Sequence, residues 1–274
     1  MSDPIRDAWD SLAPAWQAQR SYMLQTSWPI HRWLVRTLDP RPGQQILELG
    51  AGTGETGFLI AAELRNEGRV VSTDLSPKMV EVARQRGTEL GITNVDYRVL
   101  DAQKMDLADA SFDGVVCRWG LMLMPDPGAA LRECRRVLRP EGRLAFAVFR
   151  TAADDPWAGI PALVLSERGH LPPPTPGIPG ILSLGDRAHL ESLVQQTGFA
   201  SFRLESVAMS WRFPDLDTYW RWLVDVTALG PTIRGLSAAD AAAVRGDIEQ
   251  RAKPFYEGKA LSLPALCWCG LATR

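Results

Sequence analysis

The feature that most constrains the fold is an alternation of short apolar runs with helical segments between residues 44 and 150. The apolar runs have the length and composition of β-strands, and the segments between them carry helix spacing and helix end signals. One helix is predicted to begin at Pro77, with Ser76 as its cap, and to stop at Gly91. This alternation is typical of a parallel sheet covered by helices. The predicted strands are Gln45–Leu49, Arg69–Thr73, Val95–Leu100, Phe112–Cys117 and Arg143–Phe149.

The rest of the chain is predicted to add helices and one lid-like connection to this α/β core. Residues 1–43 are predicted to be helical, whereas residues 151–185 hold seven prolines and are predicted to form an irregular connection. The α/β pattern resumes over residues 186–210. We expect an inserted helical substrate cap over residues 211–260 and a final core strand within residues 261–274.

Composition excludes several classes of protein. The 30 Lys and Arg residues nearly balance 32 Asp and Glu residues, so the chain lacks the basic surplus of a dedicated nucleic-acid binder. No apolar run is long enough to span a membrane, and no charged-then-apolar leader opens the chain. The four cysteines form no CxxC pair, so we expect neither a disulfide framework nor a metal site, and we predict a cytoplasmic setting.

The most specific local signal is a glycine-rich loop from Glu48 to Gly54, directly after the first predicted strand. Its glycines let a ligand approach the backbone, and the N-terminus of the following helix presents free N–H groups to an anionic group. Roughly twenty residues further on, Asp74 ends the second strand, where a carboxylate can accept both hydroxyls of a ribose. Together these features predict a cofactor that contains a nucleoside.

Two kinds of nucleoside cofactor are compatible with this loop. Residues 52–57 fit the GxGxxG pattern of dinucleotide sites, which favours NAD and an oxidoreductase. In a dinucleotide site the strand would run almost directly into the first glycine, whereas Glu48 and Gly50 intervene here. The loop alone therefore leaves both a dinucleotide and another nucleoside cofactor open.

Five motifs in order over residues 44–150 resemble those of class I S-adenosylmethionine-dependent methyltransferases, and within them the small-molecule branch that includes the ubiquinone/menaquinone-biosynthesis enzymes. The stretch from Trp9 to Trp16 resembles the Tyr-Asp-x-x-Ala-x-x-Tyr entrance motif of that branch, with tryptophan at both tyrosine positions. The resemblance implies a seven-stranded Rossmann-like sheet with helices on both faces, N-terminal helices and a helical cap. The motifs are Glu48-Leu-Gly-Ala-Gly-Thr-Gly54, Asp74-Leu-Ser-Pro-Lys-Met79, Asp101-Ala102, Phe112-Asp-Gly-Val-Val116 and Leu138-Arg-Pro-Glu-Gly142.

Carried over residue by residue, the resemblance implies a site for S-adenosylmethionine. The glycine loop would line its methionine part, the acidic residues after the second and third strands would bind the ribose and the adenine amino group, and the turn after the fourth strand would meet its amine. Trp16 would close over the sulfonium, where an aromatic face suits a cation. The implied cofactor-binding residues are Trp16, Glu48, Gly50, Ala51, Gly52, Gly54, Asp74, Leu75, Met79, Asp101, Ala102, Cys117 and Arg118.

The resemblance also implies a substrate pocket with Trp119 at its floor. An inserted helix predicted near residues 215–229 carries an apolar stripe at the place where this family builds substrate caps, and we expect Tyr219, Trp220 and Leu223 to contact the substrate. Eight of the ten tryptophans lie outside the cofactor core and the last strand. This concentration of aromatic side chains predicts a flat, apolar substrate.

His31 and His170 are the candidate general bases, because methyl transfer to a hydroxyl often needs one. His31 lies in the N-terminal helices and His170 in the Pro-rich segment, and both segments are expected to face the pocket. No metal is required for this chemistry, so no metal-binding residues are predicted.

The expected function is methyl transfer to oxygen, nitrogen or carbon of an apolar, aromatic small molecule by in-line displacement. The alternatives are a nucleic-acid or protein methyltransferase, an NAD-dependent oxidoreductase and a non-catalytic cofactor-binding module. Residues 117–120 lack the Asn/Asp-Pro-Pro-aromatic turn of enzymes that act on flipped bases, which counts against nucleic acid. The expected partner is a small-molecule substrate, with no nucleic acid and no membrane span, in a monomer or homodimer.

Overall fold

Eight strands are found in the computed structural model, which describes residues 4–172 and 178–274. Each of the five strands predicted for the core is present, with ends that differ by up to five residues. The strands are β1 Gln45–Leu49, β2 Arg69–Asp74, β3 Val95–Val99, β4 Phe112–Arg118, β5 Leu138–Phe149, β6 Ser201–Phe213, β7 Tyr256–Glu257 and β8 Ala260–Thr273.

Seven of these strands form one continuous path in the order β3-β2-β1-β4-β5-β8-β6. Strands β1 to β5 are parallel, and β8 runs antiparallel to both β5 and β6. The predicted fold class is confirmed, but the expected seven strands undercount the sheet by one, since the two-residue β7 pairs with β8. The strand order reverses between β1 and β4, and an open α/β sheet forms its ligand crevice at the carboxyl ends of the strands at such a point.

The described residues contain ten α-helices, and the crossover rule assigns the core helices to two faces of the sheet. Parallel crossovers are right-handed, so the helices after β1 and β2 lie on one face and the helix after β4 on the other. The helices are α1 Pro4–Thr26, α2 Trp28–Leu38, α3 Glu55–Glu63, α4 Pro77–Glu89, α5 Pro127–Val137, α6 Pro156–Glu167, α7 Arg187–Gln195, α8 Leu216–Val226, α9 Gly230–Arg234 and α10 Ala238–Ala252.

Helix α1 bridges the core to the inserted helices. At one end, the Asp10 carboxylate accepts hydrogen bonds from the Ser76 hydroxyl and, at 3.2 Å, from the Lys78 amide at the start of α4. Further along, the Trp16 indole donates to the Val226 carbonyl at the end of α8 over 3.0 Å. Helix α1 is therefore hydrogen-bonded to the start of α4 at one end and to the end of α8 further along.

The prediction of an irregular connection over residues 151–185 is wrong for α6. Pro156 occupies the first turn of this helix, where no amide donor is needed. Pro161 lies inside the helix and removes the amide that would bond the Trp157 carbonyl, but the Tyr219 hydroxyl donates to that carbonyl at 2.6 Å instead. A tertiary hydrogen bond thus replaces the missing helical one. Three further prolines of this segment, Pro173, Pro174 and Pro176, lie outside the described residues.

Two general properties of the described chain bear on the site. All four cysteines are free and buried, and within residues 4–172 and 178–274 no group of three or more His, Cys, Asp or Glu side chains could hold a metal ion. Over the same residues, every helix is too short or too polar to cross a membrane.

Candidate active site

A polar cleft opens at the carboxyl ends of β1, β2 and β4, where the strand order predicts a ligand site. We define the polar cleft by the glycine loop on one side, by Asp74 and Asp101 at one end, and by Arg118 at the other; the name refers to these charged ends, because much of the remaining lining is apolar. Trp16 covers it from helix α1. Of the predicted cofactor residues, those that line the polar cleft are Trp16, Gly50, Gly52, Asp74, Leu75, Met79, Asp101, Ala102 and Arg118.

The backbone conformation of the glycine loop favours glycine at two positions. Gly50 and Gly52 have φ angles of +58° and +56°, in the left-handed region that other residues rarely adopt. A Cβ at Gly50 would lie 3.5 Å from the Gly120 backbone, and one at Gly52 would lie 3.8 Å from the Trp16 ring. The loop is therefore a thin floor on which an extended ligand can lie beneath the Trp16 indole.

Asp74 holds one end of the glycine loop by hydrogen bonds. Its carboxylate accepts hydrogen bonds from the Gly52 amide and the Ser76 amide on separate oxygens, both at 2.9 Å, and the Leu75 amide is a further backbone partner. Burial raises the pKa of this carboxyl group above its usual value. A carboxylate can accept about four hydrogen bonds, so Asp74 keeps acceptor capacity for a ligand hydroxyl.

Asp101 lies exposed at the same end of the polar cleft. One of its oxygens accepts hydrogen bonds from the Gln103 amide at 2.9 Å and from the Gln103 side chain at 3.1 Å. The side-chain oxygen of Gln103 in turn accepts a bond from the Asp126 amide at 2.7 Å, at the start of α5. Gln103, which the sequence prediction did not include, thereby lines the cleft and orients Asp101.

Four predicted cofactor residues lie behind the wall of the polar cleft rather than in it. Glu48 is fully buried and accepts hydrogen bonds from the Gly57 amide at 2.8 Å and the Ser72 hydroxyl at 2.7 Å, which ties β1 to the first turn of α3. Burial raises its pKa to about 8. The others are Ala51, whose amide donates to the Thr73 carbonyl, Gly54, which precedes α3, and Cys117, whose thiol is buried.

A second space, the aromatic cavity, adjoins the polar cleft. It is lined by six of the ten tryptophans, and four residues belong to both spaces. The shared residues are Trp9, Trp16, Trp119 and Leu123, so the two spaces meet beneath α1 and beside the turn after β4. The other tryptophans of the aromatic cavity are Trp157, Trp211 and Trp222.

These last three tryptophans come from three separate elements and contact one another. The ring centroids of Trp157 and Trp211 lie 5.2 Å apart, those of Trp211 and Trp222 4.8 Å, and those of Trp157 and Trp222 5.7 Å. The rings are tilted or edge-on, which is the arrangement that aromatic side chains prefer. The aromatic cavity therefore has a rigid wall built by α6, β6 and α8.

Trp119 lies between the two spaces and has a strained backbone conformation. Its φ angle is +60°, which is a rare value for a bulky residue, and its amide donates to the Ala147 carbonyl at 2.8 Å. One neighbour of its ring is Phe149, stacked at 4.6 Å, and another is the Arg118 guanidinium, whose carbon lies 4.5 Å from the ring centroid. The predicted floor residue of the substrate pocket thus lines both spaces.

The structure does not bring the predicted residues of α8 to the aromatic cavity. Tyr219 and Leu223 are fully buried in the core, and Trp220 is half-buried and lines neither space. Trp222 and Val226, one helical turn apart, face the cavity instead. The same helical spacing in the sequence could have pointed to this face, whereas Trp157 and Trp211 reach the cavity through long-range packing.

Neither candidate histidine lines the polar cleft or the aromatic cavity. His31 is 1% exposed, and its Nδ1 atom lies 3.1 Å from the Thr56 hydroxyl. Burial, together with the charge of Arg118, holds the pKa of His31 well below its usual 6.5. His170 is half-buried just after α6.

The comparisons with known proteins match the core most strongly. Residues 40–167 match the family model described as a methyltransferase domain. The chain is 36% identical over 125 residues to the ubiquinone/menaquinone biosynthesis C-methyltransferase UbiE of Xanthomonas campestris pv. campestris, covering 45% of this chain and 49% of that protein. It is 35% identical over 124 residues to the aklanonic acid methyltransferase DauC of Streptomyces sp. strain C5, covering 45% and 56%.

The fold extends beyond these sequence matches. The structure superposes on phosphoethanolamine N-methyltransferase 2 of Haemonchus contortus, solved in complex with phosphomonomethylethanolamine and S-adenosylhomocysteine, with a TM-score of 0.63 and 16% identity, covering all of this chain and 61% of that one. The chain spans about half the length of the curated relatives it matches. The resemblance expected from the motifs is confirmed for the core, since residues 40–167 match the methyltransferase-domain model and the structure shares its fold with a solved methyltransferase.

Proposed function

We propose that the protein is an S-adenosylmethionine-dependent methyltransferase that acts on an apolar, aromatic small molecule. The observation that carries this proposal is the junction of the two spaces: a polar cleft with the features of a nucleoside amino-acid site meets a cavity walled by tryptophan rings. The relatives named above, UbiE and DauC, are methyltransferases, which supports the reaction type.

The residues of the polar cleft fit this cofactor. Asp74 keeps acceptor capacity at the end of β2, which suits a ribose hydroxyl, and Asp101 offers an exposed carboxylate for an amino group such as that of adenine. The glycine floor leaves room for an extended chain towards β4. Trp16 lies over that floor, where its ring would face a sulfonium cation.

The aromatic cavity supports the substrate class. Its walls are tryptophan, phenylalanine, methionine and aliphatic side chains with one threonine, and flat rings stack or pack edge-on against such surfaces. An apolar ring system would gain about 25 cal/mol for each Å² of apolar surface that it buries there. A strongly charged acceptor would lose its hydration without compensation in this cavity.

In this proposal the chain acts by positioning. The bound cofactor supplies a methyl group that is already activated for attack. Trp9, Trp16 and Trp119 border both spaces, so they would hold the acceptor atom in line with that group and exclude water from the junction. Because neither candidate histidine reaches this junction, we infer that methyl transfer proceeds without either as general base.

The test combines binding with turnover on the full chain. Isothermal titration with S-adenosylhomocysteine measures occupancy of the polar cleft, and a labelled-methyl assay over polycyclic phenols, quinones, aromatic amines and, as a contrast, small aliphatic amines measures the acceptor class. We expect binding of the cofactor product and transfer to at least one ring compound. No heat with S-adenosylhomocysteine would refute the cofactor, and transfer confined to aliphatic amines would refute the substrate class.

A further inference from the structure

Arg118 is a half-buried cation without a counter-ion at one end of the polar cleft. Across residues 4–172 and 178–274, no ion pair or hydrogen bond is found for its guanidinium group, and its Nε and Nη1 atoms are buried. An unpaired charge out of water is unfavourable unless something compensates it. The side chain lines the polar cleft, so a ligand in that cleft can reach it.

The nearby acidic groups do not pair with Arg118. The Glu48 carboxylate is occupied by the Gly57 amide and the Ser72 hydroxyl, and Glu55 accepts a hydrogen bond from Thr53. Neither carboxylate lies within ion-pair distance of the guanidinium in the described chain. Burial lowers the pKa of the Arg118 guanidinium below its usual value, and the nearby acidic groups oppose that shift.

An aromatic stack holds Arg118 in position. The guanidinium carbon lies 4.5 Å from the centroid of the Trp119 ring, and that ring stacks on Phe149 at 4.6 Å. A cation is attracted to the face of an indole without using its N–H groups. The guanidinium is thus fixed in orientation while its donors stay free, which is the arrangement that binds a carboxylate well.

The position of Arg118 within the cleft indicates which carboxylate it binds. Asp74 and Asp101 lie at the β2 and β3 end, whereas Arg118 ends β4 on the other side of β1. A nucleoside held by the two acids would extend its amino-acid chain over the glycine loop towards β4. Among the described residues that line the cleft, Arg118 is the one cation.

We propose that the Arg118 guanidinium binds the carboxylate of the cofactor's amino-acid part. The inference rests on the proposed function, since it assumes that the polar cleft holds S-adenosylmethionine or its product. It gives the side chain of Arg118 a binding role, beyond the backbone contact that the family resemblance implies at this turn. The shared chemistry is a carboxylate, and an acidic methyl acceptor is the other source of one.

The experiment compares two ligands in calorimetry on the full chain: S-adenosylhomocysteine and its decarboxylated form, which lacks the carboxylate alone. For the wild type we expect decarboxylation to weaken binding roughly 10- to 100-fold, as for a lost charge-assisted bidentate contact. For Arg118→Met we expect both ligands to bind with about the same, weakened affinity, because the partner of the carboxylate is gone. Arg118→Lys should recover part of the difference.

Arg187→Met is the matched control. Arg187 also lies over a tryptophan ring, with its guanidinium carbon 5.5 Å from the Trp268 centroid, but it is exposed and paired with Glu191 at 2.9 Å. We expect its substitution to leave both affinities unchanged. Thermal unfolding of each variant shows whether it folds, and the comparison of the two ligands on the wild type needs no variant.

The outcomes separate this inference from the proposed function. If the wild type binds neither ligand, the proposed cofactor is wrong. If the wild type binds both equally well, or if Arg118→Met keeps the wild-type preference for the carboxylate, the cofactor stands and the role of Arg118 is refuted. Unchanged cofactor binding, with loss of affinity only for acidic acceptors in the transfer assay, would also refute it and assign Arg118 to the substrate.

Discussion

The hydrogen bond from Tyr219 to the Trp157 carbonyl is the most direct test of how α6 and the aromatic cavity are built. The bond is 2.6 Å long and buried, and it serves a carbonyl that Pro161 leaves without a helical donor. Replacing Tyr219 by phenylalanine removes the donor while it keeps the ring against Phe213. We therefore predict a loss of stability without any direct loss of a ligand contact.

The expected magnitude follows from the buried carbonyl. A buried acceptor that loses its partner destabilises the folded state by about 1–3 kcal/mol. Pro161→Ala supplies an amide in the helix that can donate to the same carbonyl, so Tyr219→Phe should have little effect in that background. The double-mutant cycle should therefore give a coupling energy of about 1–2 kcal/mol, in which the helix-propensity gain of Pro161→Ala cancels.

Urea unfolding of the wild type, both single variants and the double variant measures this coupling energy. Binding of S-adenosylhomocysteine and the acceptor affinity should stay within about twofold of wild type in Tyr219→Phe, because the hydroxyl faces the core. Additive effects in the cycle would refute the compensation between Tyr219 and Pro161. A selective loss of acceptor binding would instead return Tyr219 to the substrate pocket, where the sequence analysis placed it.

Three further predictions test the site. Burial raises the pKa of Glu48 from 4.5 to about 8, so the contribution of its protonated form to stability is complete below pH 4.5 and is lost as the pH rises through 8. The free energy of unfolding should therefore decline less steeply across that pH range in Glu48→Gln than in the wild type. An equal decline in both would contradict this. Asp101→Ala should weaken the binding of adenosine and S-adenosylhomocysteine about 10-fold by calorimetry, whereas Asp106→Ala, an exposed control, should not. Trp222→Phe should raise the KM of a ring acceptor about 3- to 10-fold with unchanged cofactor affinity. Trp220→Phe is the control. An equal effect of the two substitutions on the KM would argue against Trp222 as part of the cavity wall.

The sheet and its helices could be predicted from the sequence because their signals are local. Ser76 caps α4 by accepting a hydrogen bond from the Met79 amide at 3.0 Å, and Asp126 caps α5 in the same way at 2.8 Å. Asp74 and Asp101 could be placed because Asp74 ends one strand and Asp101 lies just after the next, and the carboxyl ends of neighbouring parallel strands share one edge of the sheet.

Helix α6 and the aromatic cavity could not be predicted in the same way, because their causes are distant in sequence. The Trp157 carbonyl, which Pro161 leaves without a helical donor, accepts its hydrogen bond from the Tyr219 hydroxyl, 62 residues further along the chain. Trp157 and Trp211 meet only after α6 and β6 have packed together. The tryptophan surplus predicted an aromatic pocket but not its members: Trp28 is 47% exposed, and the Trp33 indole donates to Glu205 at 3.0 Å, away from both spaces.

The stack of Arg118, Trp119 and Phe149 connects the two halves of the proposed site. Arg118 lines the polar cleft, Phe149 lines the aromatic cavity, and the Trp119 ring contacts both while it borders each space. The hydrogen bond from the Trp119 amide to the Ala147 carbonyl holds the left-handed backbone at this turn, and Arg118 and Phe149 hold the ring. The same ring thus positions Arg118 in the polar cleft and offers a surface to an acceptor in the aromatic cavity, so the geometry of the junction exists before either ligand binds.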